Sequence, residues 1–258
     1  VITASRHTWY LSARLLRNLS RQPAWIVISL IQPLIYLLIF APAFRSVVQI
    51  PGFGGGSYVD YLVPGIVVMT VLFSGGWAGM GVIEDMDRGI MDRLLVTPVS
   101  RTAIICGRLL QGALLAVVQA GIIIVIGLLV GADYPGGLLG MAVLLGASIL
   151  LGEGFAALST GVALLARKED TLIAAANMLL TPLMFLSAVF MRIELMPHWI
   201  QTAARYNPVN WAVAAGREAM QASVDWNAVL RHAGYLLAFA AVCALLATRA
   251  FRAYQRAA

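Results

Sequence analysis

Apolar residues run almost unbroken through six stretches of this chain, at about 24–44, 61–83, 103–131, 138–166, 171–191 and 229–248. Each is long enough to cross a hydrocarbon core, which takes about 20 helical residues. Backbone groups in lipid must be satisfied within the segment, so such runs are helices rather than open strands. The pattern predicts an all-α integral membrane fold, with residues 1–258 forming one transmembrane domain of six spans.

Two segments outside the runs carry a different pattern. In 3–22, Leu11, Leu15, Leu16 and Leu19 fall on one side of a helix, with Trp9 at its edge, and Arg6, Arg14, Arg17 and Arg21 fall on the other. This reads as a helix lying in the membrane interface and stopped by Pro23; a basic flank that only fixes topology is the plainer alternative. Before the last span, 192–228 holds two short runs, Pro197 to Arg205 and Pro208 to Met220. Asn207 can cap the second and Pro208 suits its first position. Trp199, Tyr206 and Trp211 are amphipathic aromatics favoured at a membrane boundary. They suggest an external re-entrant pair of helices rather than an ordinary exposed loop. The glycines of 51–57 have no lysine after them to make a phosphate site and predict a flexible external turn.

Composition sharpens the class. Of 258 residues, 60% are hydrophobic and only 12% charged, against about 25% charged in soluble domains. The net charge of +6 is not gathered on one soluble face, which argues against nucleic acid. Placing the N-terminus in the cytoplasm puts 13 of the 18 basic residues inside and 5 outside (Arg45, Arg192, Arg205, Arg217 and Arg231). The positive-inside rule therefore predicts a multi-pass protein with both termini cytoplasmic. Lys168 is the only lysine, and with abundant Ala and Gly this suggests a GC-rich bacterial genome and a bacterial plasma membrane. Ala41-Pro42-Ala43 follows an apolar run about twice a signal-peptide core, so the run is read as a retained anchor. The first residue is Val1, which implies a trimmed or renumbered start. Cys106 and Cys243 lie in apolar runs and make neither a metal site nor a disulfide framework.

Polar groups within the spans are candidates for function. Glu153 lies near the middle of the fourth run, where an acid costs about 2.5–3.5 kcal/mol on insertion scales. It must face protein, a cavity or a subunit interface, or be a neutral carboxyl bonded to another helix. Asn177 and Thr181 could line a translocation path or interface, or satisfy backbone around Pro182. The small residues Ser148, Gly152, Ala156 and Thr160 recur every four positions, as do Gly112, Ala116 and Ala120. Such stripes let helices pack closely, by default within the chain.

The loop 84–101 is the most informative segment. Met86, Ile90 and Leu94 share one helical stripe, and charges of both signs surround it. A short helix with an apolar ridge and ion-pairing rim suits docking in a protein socket. The run from Gly89 to Arg101 (Gly-Ile-Met-Asp-Arg-Leu-Leu-Val-Thr-Pro-Val-Ser-Arg) resembles the cytoplasmic loop of type-2 ABC exporter permeases. It is most similar to the branch with the daunorubicin-resistance permeases. Tyr206-Asn207-Pro208-Val209 resembles a second landmark of that family. The resemblance implies that the loop is a coupling helix contacting an ATPase through Asp87, Arg88, Gly89, Ile90, Asp92, Arg93, Leu94 and Leu95. It implies two separate ABC ATPase subunits carrying ATP and Mg, a second permease copy or paralogue, and surrounding lipid. By the same resemblance the chain is a permease without catalytic residues or bound cofactor, and it exports an amphipathic drug, antibiotic or lipid.

No Gly-Lys-Ser/Thr run is present, so energy for transport comes from outside the chain. An ion-coupled secondary transporter using Glu153 is the alternative, but it would show a repeat and more intramembrane ionisable groups. A lipid-linked polymer exporter is a further alternative. An intramembrane enzyme would need a second catalytic group at the depth of Glu153.

Overall fold

The computed structural model describes residues 23–49, 57–89 and 101–257. They are helical: α1 (Pro23–Ala43), α2 (Tyr58–Gly76), α3 (Met80–Asp87), α4 (Arg101–Leu129), α5 (Gly137–Ala166), α6 (Glu169–Phe185), α7 (His198–Arg205), α8 (Pro208–Ala219) and α9 (Trp226–Ala257). Among the described residues, four stretches are long and apolar enough to cross a membrane: Tyr58–Asp87, Arg108–Leu129, Gly137–Ala166 and Trp226–Tyr254. A shorter apolar stretch, Ile28–Ala43, belongs to α1. The expected interfacial helix at 3–22 and the loop residues Ile90, Asp92, Arg93, Leu94 and Leu95 lie outside the described residues.

α5 is the axis of the bundle and packs against α9, α2, α8 and α4. Its approach to α2 is backbone on backbone. A Cβ on Gly75 would lie 2.2 Å from the Gly152 carbonyl oxygen, and one on Gly152 would lie 2.6 Å from Val71 Cγ1. Leu62, Ile66, Leu72, Ile123, Leu144 and Leu151 fill the main core between α2, α4 and α5. A separate small cluster, around Val82, Ile83, Ala163, Leu164, Leu172 and Tyr254, seats α3 against the ends of α5 and α9 and the start of α6. Ile31, Ile35, Leu38 and Ile39 on α1, and Leu230, Leu237, Val242 and Leu245 on α9, point outward. Exposed apolar faces of this extent on long helices are the lipid-covered surface of an integral membrane protein.

Local sequence sets several helix ends. Ser57 and Asp60 form a capping box at α2: Val59 N donates to Ser57 Oγ (3.2 Å) and Ser57 N to Asp60 Oδ2 (3.1 Å). The other Asp60 oxygen accepts from Asp133 N at 2.8 Å, tying α2 to the α4–α5 turn. Burial raises the pKa of the Tyr134 phenol, which stays neutral and donates to the Ile124 carbonyl (3.3 Å).

Three expectations are corrected. The fifth run was expected to be helical over 171–191, but α6 stops at Phe185, and the chain continues along α2 in non-helical turns: Leu180 lies beside Gly76, Val189 beside Gly65, and Phe190 is bonded by Tyr58. The 17 residues of α6 rise about 26 Å, at the short end of the range of about 17–25 residues for a crossing helix, and the turns that follow carry the run on to the Tyr58 end of α2. The stripe expected to run from Met86 to Ile90 breaks, because α3 ends at Asp87 and Gly89 adopts a left-handed φ of 64°. Arg88 N and Gly89 N bond back to Glu84 O and Met86 O, which closes the helix. The stripe of every fourth residue on α5 is out of phase. Ser148 and Gly152 are buried, but Phe155 and Ser159 continue the buried face, while Ala156 and Thr160 are only partly covered. A helix turns every 3.6 residues, so a strict four-residue repeat drifts off the contact line.

Candidate translocation and coupling sites

The structure places the candidate residues at three levels. At the α3 end, the helix carries Glu84, Asp85, Asp87 and Arg88 just before the loop 90–100. Arg88 pairs with Glu84 within the helix. Arg108 of α4 pairs with Asp85, anchoring α3 sideways. Asp87 is exposed and Gly89 partly so. The near half of the expected docking surface is thus presented outward by a helix fixed on its inner face by Val82 and Ile83.

At mid-bundle, Glu153 lies against α4. A Cβ on Gly112 would lie 2.6 Å from Glu153 Oε1, so the glycine makes the room the carboxyl occupies. Glu153 is partly buried. Among the described residues it takes part in no hydrogen bond or ion pair. The bonded-carboxyl alternative therefore has no described partner, and the acid sits in the α4–α5 groove. Gln119 of α4, fully buried, joins three helices: it accepts from Ser74 Oγ (2.8 Å) and donates to Ser29 Oγ (2.9 Å). Asn177 is elsewhere, on the exposed face of α6 beside Met178, and Thr181 is partly covered on the same helix. Glu153 and Asn177 thus belong to different surfaces of one chain.

At the α7–α8 end, the turn that stops α6 is held by side chains. Asn207 caps α8 by accepting from Val209 N (2.9 Å), and its amide donates to Leu183 O (2.6 Å) and Leu186 O (2.9 Å). One side chain therefore starts α8 and closes α6. Pro208 follows at the first helical position. Tyr58 and Tyr61 of α2 donate to Phe190 O and Ala188 O, both at 2.9 Å. Asn210 accepts from Ala188 N at 3.2 Å. Arg217 of α8 lies 3.4 Å over the Tyr61 ring and donates to Tyr61 O (3.1 and 2.9 Å) and Val189 O (3.0 Å). Carbonyls freed by the turn, costly in an apolar setting, are thereby satisfied from α2 and α8. Trp199 and Tyr206 are exposed, and Trp211 donates its indole N–H to Arg205 O (2.7 Å).

Ser159, Gln119, Tyr61 and Arg217 were not singled out from the sequence. Gln119 and Ser159 carried a readable signal, a polar side chain inside an apolar run. Arg217 counted only as one external charge.

Comparison with known proteins gives one family. The model described as ABC-2 type transporter matches residues 6–220. The daunorubicin resistance ABC transporter permease protein of Streptomyces coeruleorubidus is 27% identical over 222 residues, covering 85% of this chain and 75% of that protein. A protein of Mycobacterium tuberculosis described as a probable doxorubicin resistance ABC transporter permease is 22% identical over 244 residues, covering 95% and 86%. Nodulation protein J of Rhizobium leguminosarum bv. trifolii is 28% identical over 230 residues, covering 86% and 84%.

Proposed function

Because the chain belongs to the ABC-2 type transporter family, we propose that it is the membrane-spanning subunit of an ATP-driven exporter that moves an amphipathic drug, antibiotic or lipid outward. The observation that carries this reading is the family match over most of the chain, together with an α3 that presents charges toward the loop 90–101. The names of the drug-resistance relatives support an amphipathic cargo. ATP and Mg belong to two separate ATPase subunits, and a second permease copy or paralogue completes the path. The protein resides in a bacterial plasma membrane with both termini cytoplasmic. The α7–α8 pair, with Trp199, Tyr206 and Trp211, dips into the outer leaflet.

Docking on the ATPase uses Ile90, Leu94 and Leu95 as an apolar ridge, with Asp87, Arg88, Asp92 and Arg93 at its rim. Burying one leucine contributes about 1.5–3 kcal/mol, while an exposed ion pair contributes about 1 kcal/mol or less. Leu94→Asp is therefore expected to weaken ATPase binding by about tenfold or more, and Arg93→Ala by less. Co-purification from detergent checks this, and full retention by Leu94→Asp removes the loop from the coupling role.

Glu153 supplies the polar contact for cargo in the α4–α5 groove. Glu153→Leu should insert at least as well as the parent, since it removes an acid costly at mid-bilayer. Transport of daunorubicin by the reconstituted complex should nevertheless fall about tenfold, the loss of one intramembrane polar contact of about 1–2 kcal/mol. Unchanged transport would take Glu153 off the path.

A further inference from the structure

The run from Tyr58 to Asp87 is nearly one helix, broken between Gly76 and Met80. In a continuous helix Gly79 N–H would bond Gly75 O, and Met80 N–H would bond Gly76 O. Here Ala78 N donates to Gly75 O (3.1 Å) and Met80 N to Trp77 O (3.0 Å). Gly76 O and Gly79 N–H are left over, and both go to a single atom on another helix. Ser159 Oγ of α5, buried, donates to Gly76 O at 2.5 Å and accepts from Gly79 N at 2.9 Å. Insertion of a side chain into the bonding ladder is a known physical cause of a helix kink. A hydroxyl suits the place because it is donor and acceptor at one atom. Gly79 is required for the approach: a Cβ there would lie 2.5 Å from Ser159 O and 2.7 Å from Ser159 Oγ.

The break also has a second complete bonding arrangement. If Gly79 N returned to Gly75 O and Met80 N to Gly76 O, α2 and α3 would be one helix. The released Ser159 hydroxyl could then bond the carbonyl four residues back on α5, as serines in helices do. Both arrangements give the Gly76 carbonyl, the Gly79 N–H and the Ser159 hydroxyl a partner, so the hydrogen bonds of these three groups do not by themselves favour either one. The parts on either side of the break are packed separately. α2 belongs to the main core, whereas Val82 and Ile83 of α3 belong to the small cluster with Leu172 and Tyr254. α3 runs directly toward the loop 90–101.

We propose that Ser159 is the positioning latch of a two-state hinge between α2 and α3, through which displacement of the 90–101 loop reaches the spanning part of α2. The role in transport rests on the exporter reading above. The hinge itself does not.

The test uses the full permease with its ATPase in lipid nanodiscs. Spin labels are placed at exposed Glu84→Cys on α3 and exposed Arg252→Cys on α9, with Cys106 and Cys243 replaced by Ala. An arm of about 6 Å beyond the break, swung through a kink of about 20° or more, moves by about 2 Å or more. The parent should show one distance without nucleotide and a second, shifted by at least that amount, after trapping with ATP, Mg and vanadate. Ser159→Ala lacks the latch and should hold the trapped distance in both conditions while still retaining the ATPase. Ser159→Thr, which keeps a hydroxyl, should restore the shift. If Ser159→Ala does not fold, Ser159→Cys, with a weaker donor and acceptor, carries the same comparison. The parent's two distances, unchanged in the latch variant, overturn the proposal. Failure of the parent to retain any ATPase overturns the exporter reading instead. In that case a shifted nucleotide-free distance in Ser159→Ala still supports the hinge, and an unshifted one rejects it.

Discussion

Arg217→Ala is expected to loosen the whole α7–α8 end of the bundle and to lower stability by about 3–5 kcal/mol. Its guanidinium makes three hydrogen bonds, two to Tyr61 O and one to Val189 O, and lies on the Tyr61 ring. A hydrogen bond to a charged group contributes about 1.5–3 kcal/mol, and stacking a cation on an aromatic face adds about 0.5–2 kcal/mol. These contributions share one side chain and do not add fully. Arg217→Lys should recover only part of the loss, because an ammonium cannot reproduce the planar fork that spans two carbonyls. Thermal unfolding of the detergent-solubilised protein, followed by retention of its monodisperse elution peak, reads the effect. A melting temperature unchanged in Arg217→Ala would show that Tyr58, Tyr61 and Asn207 hold the turn without it.

Gly75→Val is expected to prevent correct assembly altogether. The first atom of any side chain there would stand 2.2 Å from the Gly152 carbonyl oxygen. Both partners at that crossing are backbone, so no rotamer change can relieve the overlap, and α2 would have to leave α5. Even ordinary overpacking costs about 1–3 kcal/mol, and here the displaced contact lies between two core helices. Gly121→Ala serves as the control. No atom lies within 4 Å of a Cβ at Gly121, and Ala in a helix is favoured over Gly by about 1 kcal/mol. Expression in membranes with a fluorescent fusion and size-exclusion profile should show loss for Gly75→Val and parent-like or better behaviour for Gly121→Ala. A folded, parent-like Gly75→Val would mean that the α2–α5 crossing is wider than described.

The Gly75 and Gly152 contact also shows how far pattern reading reaches. Gly152 stood out as a small residue on a spaced stripe, and the inference of close packing within the chain holds. Its partner Gly75 was not predictable, because it lies 77 positions away and nothing local marks it. Ser159 illustrates the same limit differently. A four-residue repeat pointed to Thr160, while the helical period of 3.6 carries the buried face to Ser159.

What the sequence by itself determined is local or additive. Runs of apolar residues specify helices because a backbone in lipid has no other partner. Ser57 with Asp60, and Asn207 with Pro208, specify helix starts because the groups they satisfy are two or three residues away. The family followed from a contiguous run of loop residues. What only the tertiary structure decided depends on partners far apart in the chain. α6 ends at Phe185 because Asn207, Tyr58, Tyr61 and Arg217, from α8 and α2, accept the cost of its turn. Glu153 faces Gly112 rather than Asn177 because the packing of α5 sets its rotation. Periodicity defines a helix and its apolar face, but the phase of that face and the donor that fills each freed carbonyl are fixed only when the helices meet.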